Sequence, residues 1–199
     1  MRLKAENISF RYPCGRNYVL QGVDFVAESG EVVGLSAPSG YGKSTLGKIL
    51  AGYARPDAGG RVTLDGEPLP VRGFNPVQLV FQYPEKAVNP KWKMRRILEE
   101  AGAPALELAE ALGIREGWMN RWPSELSGGE LQRFCVLRAL TPDTRFLIAD
   151  EMTTMLDAVT QAQIWRVVLD YAGGKGMGVV VISHEQALVD RLCDRVVLL

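Results

Sequence analysis

At 199 residues the chain is long enough for one domain with a full hydrophobic core and one inserted segment. Hydrophobic residues make up 47% and charged residues 23% of it, which excludes a disordered or fibrous protein. Basic and acidic side chains balance at 23 each, so the positive surplus of a protein that lives on nucleic acid is missing and nucleic acid is not expected as a main partner.

The opening segment alternates. Leu3, Ala5, Ile8 and Phe10, then Val23, Phe25 and Ala27, predict strands broken by Pro13, Gly15 and Gly22. Val32-Val33-Gly34-Leu35-Ser36 reads as a buried strand, followed by a turn of small residues and a helix from Ser44 to Ala51. A hairpin-like stretch covers 61–69 and a further strand 78–81. Residues 92–113 are rich in Glu, Ala and Leu and are expected to be helical, as an inserted subdomain. From Gly129 the pattern alternates: helix to Leu140, strand 146–149, helix 160–171, strand 178–182, helix 185–192, strand 195–198. Strands alternating with helices imply a parallel sheet.

The stretch Ser39-Gly40-Tyr41-Gly42-Lys43-Ser44-Thr45 lies between a buried strand and a helix start, the context a phosphate-binding P-loop requires. Its glycines let successive backbone N–H groups turn toward phosphate oxygens, and the helix adds its positive end. Lys43 would pair the outer phosphates, and the Ser44 hydroxyl would be offered to Mg2+. Alone, the stretch also reads as a Gly-rich turn capping a helix. The pattern G-x-x-x-x-G-K-[ST] wants glycine where this chain has Ala37, and a methyl there would strain the loop by roughly 1 kcal/mol if the residue needs positive φ.

Asp150-Glu151 closes the apolar run Phe146-Leu147-Ile148-Ala149, putting two carboxylates at the carboxyl end of a buried strand, where open parallel sheets bind ligands. Asp150 would hold the Mg2+ shell and Glu151 would orient and polarise the water attacking a γ-phosphate. An acidic pair also suits a helix's first turn, and on these residues alone the two readings stand level. Gln82 leaves the apolar strand Gln78-Leu79-Val80-Phe81, which by itself means little. The single histidine, His184, follows Val179-Val180-Val181-Ile182-Ser183 onto the same presumed edge.

Leu126-Ser127-Gly128-Gly129-Glu130-Leu131-Gln132-Arg133 closely resembles the L-S-G-G-Q signature of the ABC ATPases, with Glu130 in the glutamine position. A serine N-cap before a helix would read the same way, but the phosphate loop, acidic pair and histidine follow the family's order, and the resemblance runs over essentially the whole chain. It implies an α/β P-loop NTPase fold: a mainly parallel sheet flanked by helices, an N-terminal antiparallel β subdomain and a short inserted α-helical subdomain. It implies a single ABC ATPase domain, with a nucleotide-binding core at about 1–82 and 141–199 and a helical subdomain carrying the signature at about 83–140. The implied cofactors are ATP and Mg2+. Tyr12 would stack on adenine; Ser39, Gly40, Tyr41, Gly42, Lys43, Ser44 and Thr45 would surround the phosphates; Ser44, Gln82 and Asp150 would serve the metal. Catalysis would rest on Glu151, His184, Lys43 and Gln82. In the family two domains pair head to tail, so Ser127, Gly128 and Gly129 would cap the γ-phosphate bound by a partner, and Asp157, in Thr153-Thr154-Met155-Leu156-Asp157, would sit at the dimer interface.

Val80-Phe81-Gln82-Tyr83-Pro84 with Asn89-Pro90, and Gln161-Ala162-Gln163-Ile164, look most like the peptide and nickel importer branch. The resemblance then implies a second ABC ATPase subunit as partner, in a homo- or heterodimer. It also implies transmembrane permease subunits engaged through the 82–89 region, an external solute-binding protein, and a place on the cytoplasmic face of the cell membrane. An exporter ATPase, a catalytically weak regulatory half of a heterodimer, and an ABC ATPase acting on nucleic acid or ribosomes are the alternatives. The last is disfavoured by the single cassette and the balanced charge. Three departures stand against the pattern: Ala37, Met152 where proline is usual, and Thr154-Met155 for a small Ser-Ala pair; none removes a catalytic group. Relatives continue past the position of Leu199 with more strand and helix, and this branch adds a C-terminal extension.

No apolar run reaches the ~20 residues that span a bilayer, and Met1-Arg2-Leu3-Lys4-Ala5-Glu6 lacks a signal-peptide apolar stretch. Cys14, Cys135 and Cys193 form no C-x-x-C pair, so reduced thiols are expected, with neither a disulfide framework nor a zinc site.

Overall fold

The computed structural model describes every residue except Cys14, Arg16, Ser39 and 103–105, together with the side chain of Leu106. The opening alternation becomes β1 (Arg2–Phe10) and β2 (Leu20–Glu28). They are followed by β3 (Val32–Ser36), α1 (Lys43–Leu50), β4 (Arg61–Leu64), β5 (Glu67–Pro68) and β6 (Val77–Val80). Next come α2 (Met94–Glu100), α3 (Leu106–Ala111) and α4 (Gly128–Ala139). The chain then runs through β7 (Phe146–Asp150), α5 (Ala158–Lys175), β8 (Gly178–Ile182), α6 (Gln186–Leu192) and β9 (Arg195–Leu198).

Two sheets form. One is antiparallel, in the order β2-β1-β4-β5. Its alternation is a packing fact: Leu3, Ala5 and Ile8 are wholly buried, while their neighbours face outward. The register slips between Ala5 and Ile8, where Asn7 takes φ 50° and donates its N–H to Asp24 Oδ1 at 2.8 Å. The other sheet has the order β6-β7-β8-β3-β9, with β3 parallel to β8 and β9, and β7 parallel to β8. Every residue of β7 and β8 is buried, which explains why both read as unbroken apolar runs rather than alternations. Leu35 and Asp150 both pair in register with Ile182, so β3, β7 and β8 end together on one edge. α1 lies tight against this sheet because Gly47 has no side chain: a Cβ there would meet Ile182 Cδ1 at 2.9 Å and Ile148 Cγ2 at 3.2 Å.

Packing divides the chain into two units. The first comprises Met1–Leu79, Arg145–Asp150 and Gly176–Leu199; the second comprises Val80–Thr144 and Glu151–Lys175. The sequence division near 83 and 140 placed 151–175 with the core, whereas packing groups this segment, with α5, in the second unit. Within that unit α4 is the centre, burying Leu131, Phe134, Cys135, Val136 and Leu137. Arg138 of α4 donates to the Ala87 carbonyl at 2.9 Å, and Arg133 reaches the Leu112 carbonyl at 2.5 Å and Thr160 Oγ1 at 3.2 Å. The stretch expected as one helical insertion is two helices, α2 and α3. α2 stops at Glu100 and the chain turns through Gly102 at φ 63°, a left-handed conformation open to glycine. Among the described residues no helix is long and apolar enough to cross a membrane. Cys135 and Cys193 are free thiols, pushed by burial up to about 12 and about 11 respectively, and Cys14 lies outside the described residues.

On the antiparallel sheet Glu6 is bracketed by Arg61 Nε and Lys4 Nζ, each at 2.8 Å. Their hydrogen bonds, that of Arg61 foremost, lower its carboxyl to about 2. A depressed carboxyl stabilises the fold above its unfolded value, ~4.3, and that contribution fades as pH falls through the folded value. Glu6→Gln is therefore expected to flatten the loss of urea resistance between about pH 5 and about pH 2, a small effect that added salt shrinks further because the group is exposed. Identical urea midpoints for variant and wild type at both ends of that window would count against it.

Candidate functional site

The loop between β3 and α1 turns on two glycines. Gly40 and Gly42 have φ of 86° and 90°, and a Cβ on Gly42 would stand 2.7 Å from Leu20 Cδ2 and 3.0 Å from the Val19 carbonyl. Gly42 is thus required twice, by its backbone angle and by the wall behind it. Ala37 needs no such angle: among the described residues the non-glycine positions at positive φ are Asn7, Asp65 and Glu151, so the condition for strain at Ala37 is not met. Lys43 opens α1 only 8% exposed. Its Nζ donates to the carbonyls of Ala37 at 2.5 Å and Pro38 at 3.3 Å, which places a buried ammonium inside the loop's own curve. Thr45 is buried and lies 3.1 Å from the hydroxyl of Tyr12, whose ring packs edge-on against Phe10 with centroids 5.0 Å apart. Tyr12 and Tyr41 are both exposed. Ser39 lies outside the described residues.

The parallel register carries further groups to the same edge. Asp150, 5% exposed at the end of β7, accepts a 2.8 Å hydrogen bond from Ser44 Oγ. His184 is exposed, two residues past the end of β8. Among the described residues no three His, Cys, Asp or Glu side chains cluster as a metal cage. A hydroxyl beside one carboxylate nevertheless suits Mg2+, a hard ion that takes one or two protein oxygens and completes its shell with water and phosphate.

In the second unit Gln82 and Glu151 meet: Gln82 Nε2 donates to Glu151 Oε2 at 2.9 Å. Glu151 sits at φ 48°, a conformation that costs a non-glycine residue of order 1 kcal/mol or more and persists only where the surroundings impose it. Those surroundings are explicit. The Glu151 carbonyl accepts from Thr154 Oγ1 at 3.1 Å. Met152 and Thr153 are each 2% exposed, and Thr153 Oγ1 accepts from Trp165 Nε1 at 3.0 Å and Gln161 Nε2 at 2.9 Å. Met152, standing where proline is usual, is therefore a packed core residue. α5 then starts with Asp157 accepting from the N–H groups of Val159 and Thr160 at 3.1 and 3.0 Å, bonds that hold its carboxyl below the ordinary range.

The Leu126–Arg133 string forms a helix N-terminus. Ser127 Oγ accepts from the Glu130 N–H at 3.3 Å, and Glu130 Oε2 accepts from the Ser127 N–H at 2.8 Å, a reciprocal capping box. Glu130 in the glutamine position thus has a structural occupation, and its carboxyl is lowered chiefly by the Ser127 backbone bond. Ser127 and Gly128 are exposed, and a Cβ on Gly129 would lie 2.9 Å from Leu156 Cδ2.

One buried polar residue escaped the sequence reading. Gln132, 4% exposed, donates its Nε2 to the carbonyls of Met152 at 2.8 Å and Phe81 at 3.1 Å, while its Oε1 is buried without a hydrogen-bond partner. Two carbonyls fix which way the amide faces. The available signal was a polar side chain three and four residues before the apolar Cys135 and Val136, on one face of the same helix.

Residues 20–154 match the family described as ABC transporter. The nickel import ATP-binding protein NikE of Escherichia coli strain K12 is 36% identical over 200 residues, covering 91% of this chain and 74% of that protein. The protein of the same name from Rhodospirillum rubrum is 36% identical over 202 residues, covering 91% and 72%. The dimeric post-hydrolysis state of the ATP-binding cassette MJ0796, bound to ADP and Pi, matches with a TM-score of 0.83 at 26% identity, covering 99% of this chain and 94% of that one.

Proposed function

The chain belongs to the ABC transporter family as an ATP-binding, ATP-hydrolysing subunit coupled to transport, and from that premise we propose that it powers import of nickel or a related small solute from the cytoplasmic face of a membrane. The observation that carries the import reading is the 36% identity to the NikE proteins over 91% of the chain. The retained pairs Ser44–Asp150 and Gln82–Glu151 support turnover rather than a silent regulatory half.

In this reading Lys43 and the loop N–H groups hold the outer phosphates, and Tyr12 offers its ring to the adenine. Ser44 and Asp150, with Gln82 as the family's third ligand, would hold Mg2+, which neutralises phosphate charge when bound. Glu151 accepts the proton of the attacking water as the new P–O bond forms and the bond from the γ-phosphorus to the bridging oxygen breaks, that oxygen leaving with ADP; Gln82 keeps the carboxylate aimed, and His184 donates toward the γ-phosphate. ATP draws two such chains together, with Ser127 to Gly129 of each closing on the nucleotide of the other, and hydrolysis releases them. The dimeric state of the similar cassette MJ0796 supports this step. Permease subunits, and an external solute-binding protein, complete the assembly.

Cells lacking this chain are expected to lose ATP-driven nickel accumulation, and to regain it with the wild-type gene but not with Glu151→Gln. Unchanged nickel uptake in the deletion strain would remove nickel as the cargo while leaving the ATPase intact. Purified protein that hydrolyses no ATP, even with its membrane partner, would make the regulatory half the better account.

A further inference from the structure

We infer that Gln132 is a positioning residue for hydrolysis: from α4 its one amide group holds the backbone on both sides of the Gln82–Glu151 pair, and so sets where the Glu151 carboxylate points. This rests on the reading of Gln82 and Glu151 as hydrolytic residues. The geometry is specific. Phe81, whose carbonyl Gln132 engages, precedes Gln82, and Met152, whose carbonyl it also engages, follows Glu151. The two anchor points are thus one residue from each member of the 2.9 Å Gln82–Glu151 contact. Glu151 itself lies at positive φ, so its backbone has lower-energy conformations to fall into once a restraint is removed.

Packing alone does not ask for an amide here. Gln132 is 4% exposed and its Oε1 has no partner, so a buried polar atom is carried at a cost that Met or Leu at the same place would avoid. What the amide supplies that those side chains cannot is a pair of donors reaching two segments far apart in sequence. α4 is also the helix that begins at Ser127 and Gly128. The surface presented to a second subunit and the aim of Glu151 are therefore joined through a single side chain.

The test is Gln132→Met, which keeps length and volume and removes both donors. In steady-state ATPase assays of the purified chain kcat is expected to fall between about tenfold and a hundredfold. KM and the affinity for a fluorescent ATP analogue should stay within about twofold, and the thermal midpoint should fall only modestly, because the Phe81 and Met152 carbonyls lose their donor while the unpartnered Oε1 is removed with it. Combined with Gln82→Ala, the two losses should not multiply, because both act on one carboxylate. Gln132→Asn, which keeps the amide but withdraws it by one methylene, should fall between, and it carries the test if Met at this position prevents folding. Wild-type kcat in either variant overturns the inference, as does a rate that falls only in step with a lowered thermal midpoint. If instead Glu151→Gln hydrolyses ATP normally, the hydrolytic reading of Glu151 fails, and that outcome is separate from a failure at Gln132.

Discussion

Glu151→Gln is expected to hydrolyse ATP at least about a hundredfold more slowly than wild type while binding it as well or better. The substitution changes one oxygen to an amide nitrogen and leaves shape, χ angles and volume alone, so the restraints that hold residue 151 at φ 48° are not disturbed. The Thr154 bond to its carbonyl and the buried Met152–Thr153 pair stay in place. The Gln82 amide, 2.9 Å from Oε2 in wild type, finds the remaining oxygen after a flip of the new amide. What disappears is a group able to take a proton from water, a purely chemical loss. In the presence of ATP the variant should accumulate as a dimer on gel filtration, because closure no longer leads to hydrolysis and release. Hydrolysis at the wild-type rate would remove Glu151 as the base, and slow hydrolysis with poor nucleotide binding would point to a collapsed loop.

The segments legible in the sequence are those whose burial is one-sided or complete. β3 and β8 begin and end where the apolar runs do, since strands inside a parallel sheet leave few polar positions to blur the pattern. The tight loop between β3 and α1 was legible for a different reason: Gly42 has no room for a side chain against Leu20 and Val19. The break between α2 and α3 had a signal in Gly102 and Pro104, outweighed in the reading by the Glu, Ala and Leu that favour helix on either side of it. Grouping α5 with the second unit accords with Thr160 and Gln163, whose bonds reach Arg133 and the Ala111 carbonyl, contacts that periodicity cannot foresee. Gln132 escaped for the same cause. An amide three residues past the glycines looks like helix surface until its carbonyl partners, 51 and 20 residues away, are brought in by the fold. The anticipated weakness at Ala37 was a question about φ, and only the loop's course answers it.

Lys43→Ala is expected to weaken ATP binding about a hundredfold or more, the loss typical of removing one partner from a desolvated charge-assisted contact. The ammonium is 8% exposed and rests on the carbonyls of Ala37 and Pro38; it is already turned into the loop, so little ordering remains to oppose binding when phosphates arrive. Truncation removes that charge and also leaves two loop carbonyls to water, so a modest fall in thermal midpoint should accompany the loss without matching it in size. Ser44 separates the contributions. Its hydroxyl bonds Asp150 and is assigned to the metal, so Ser44→Ala should reduce affinity only when Mg2+ is present, whereas Lys43→Ala should reduce it with or without Mg2+. Titration of a fluorescent ATP analogue in magnesium and in chelator gives all four numbers. Wild-type affinity for Lys43→Ala in chelator would mean that the backbone N–H groups and the α1 terminus bind the phosphates unaided, and the lysine would then have to act later, on the charge that develops as the γ-phosphate departs.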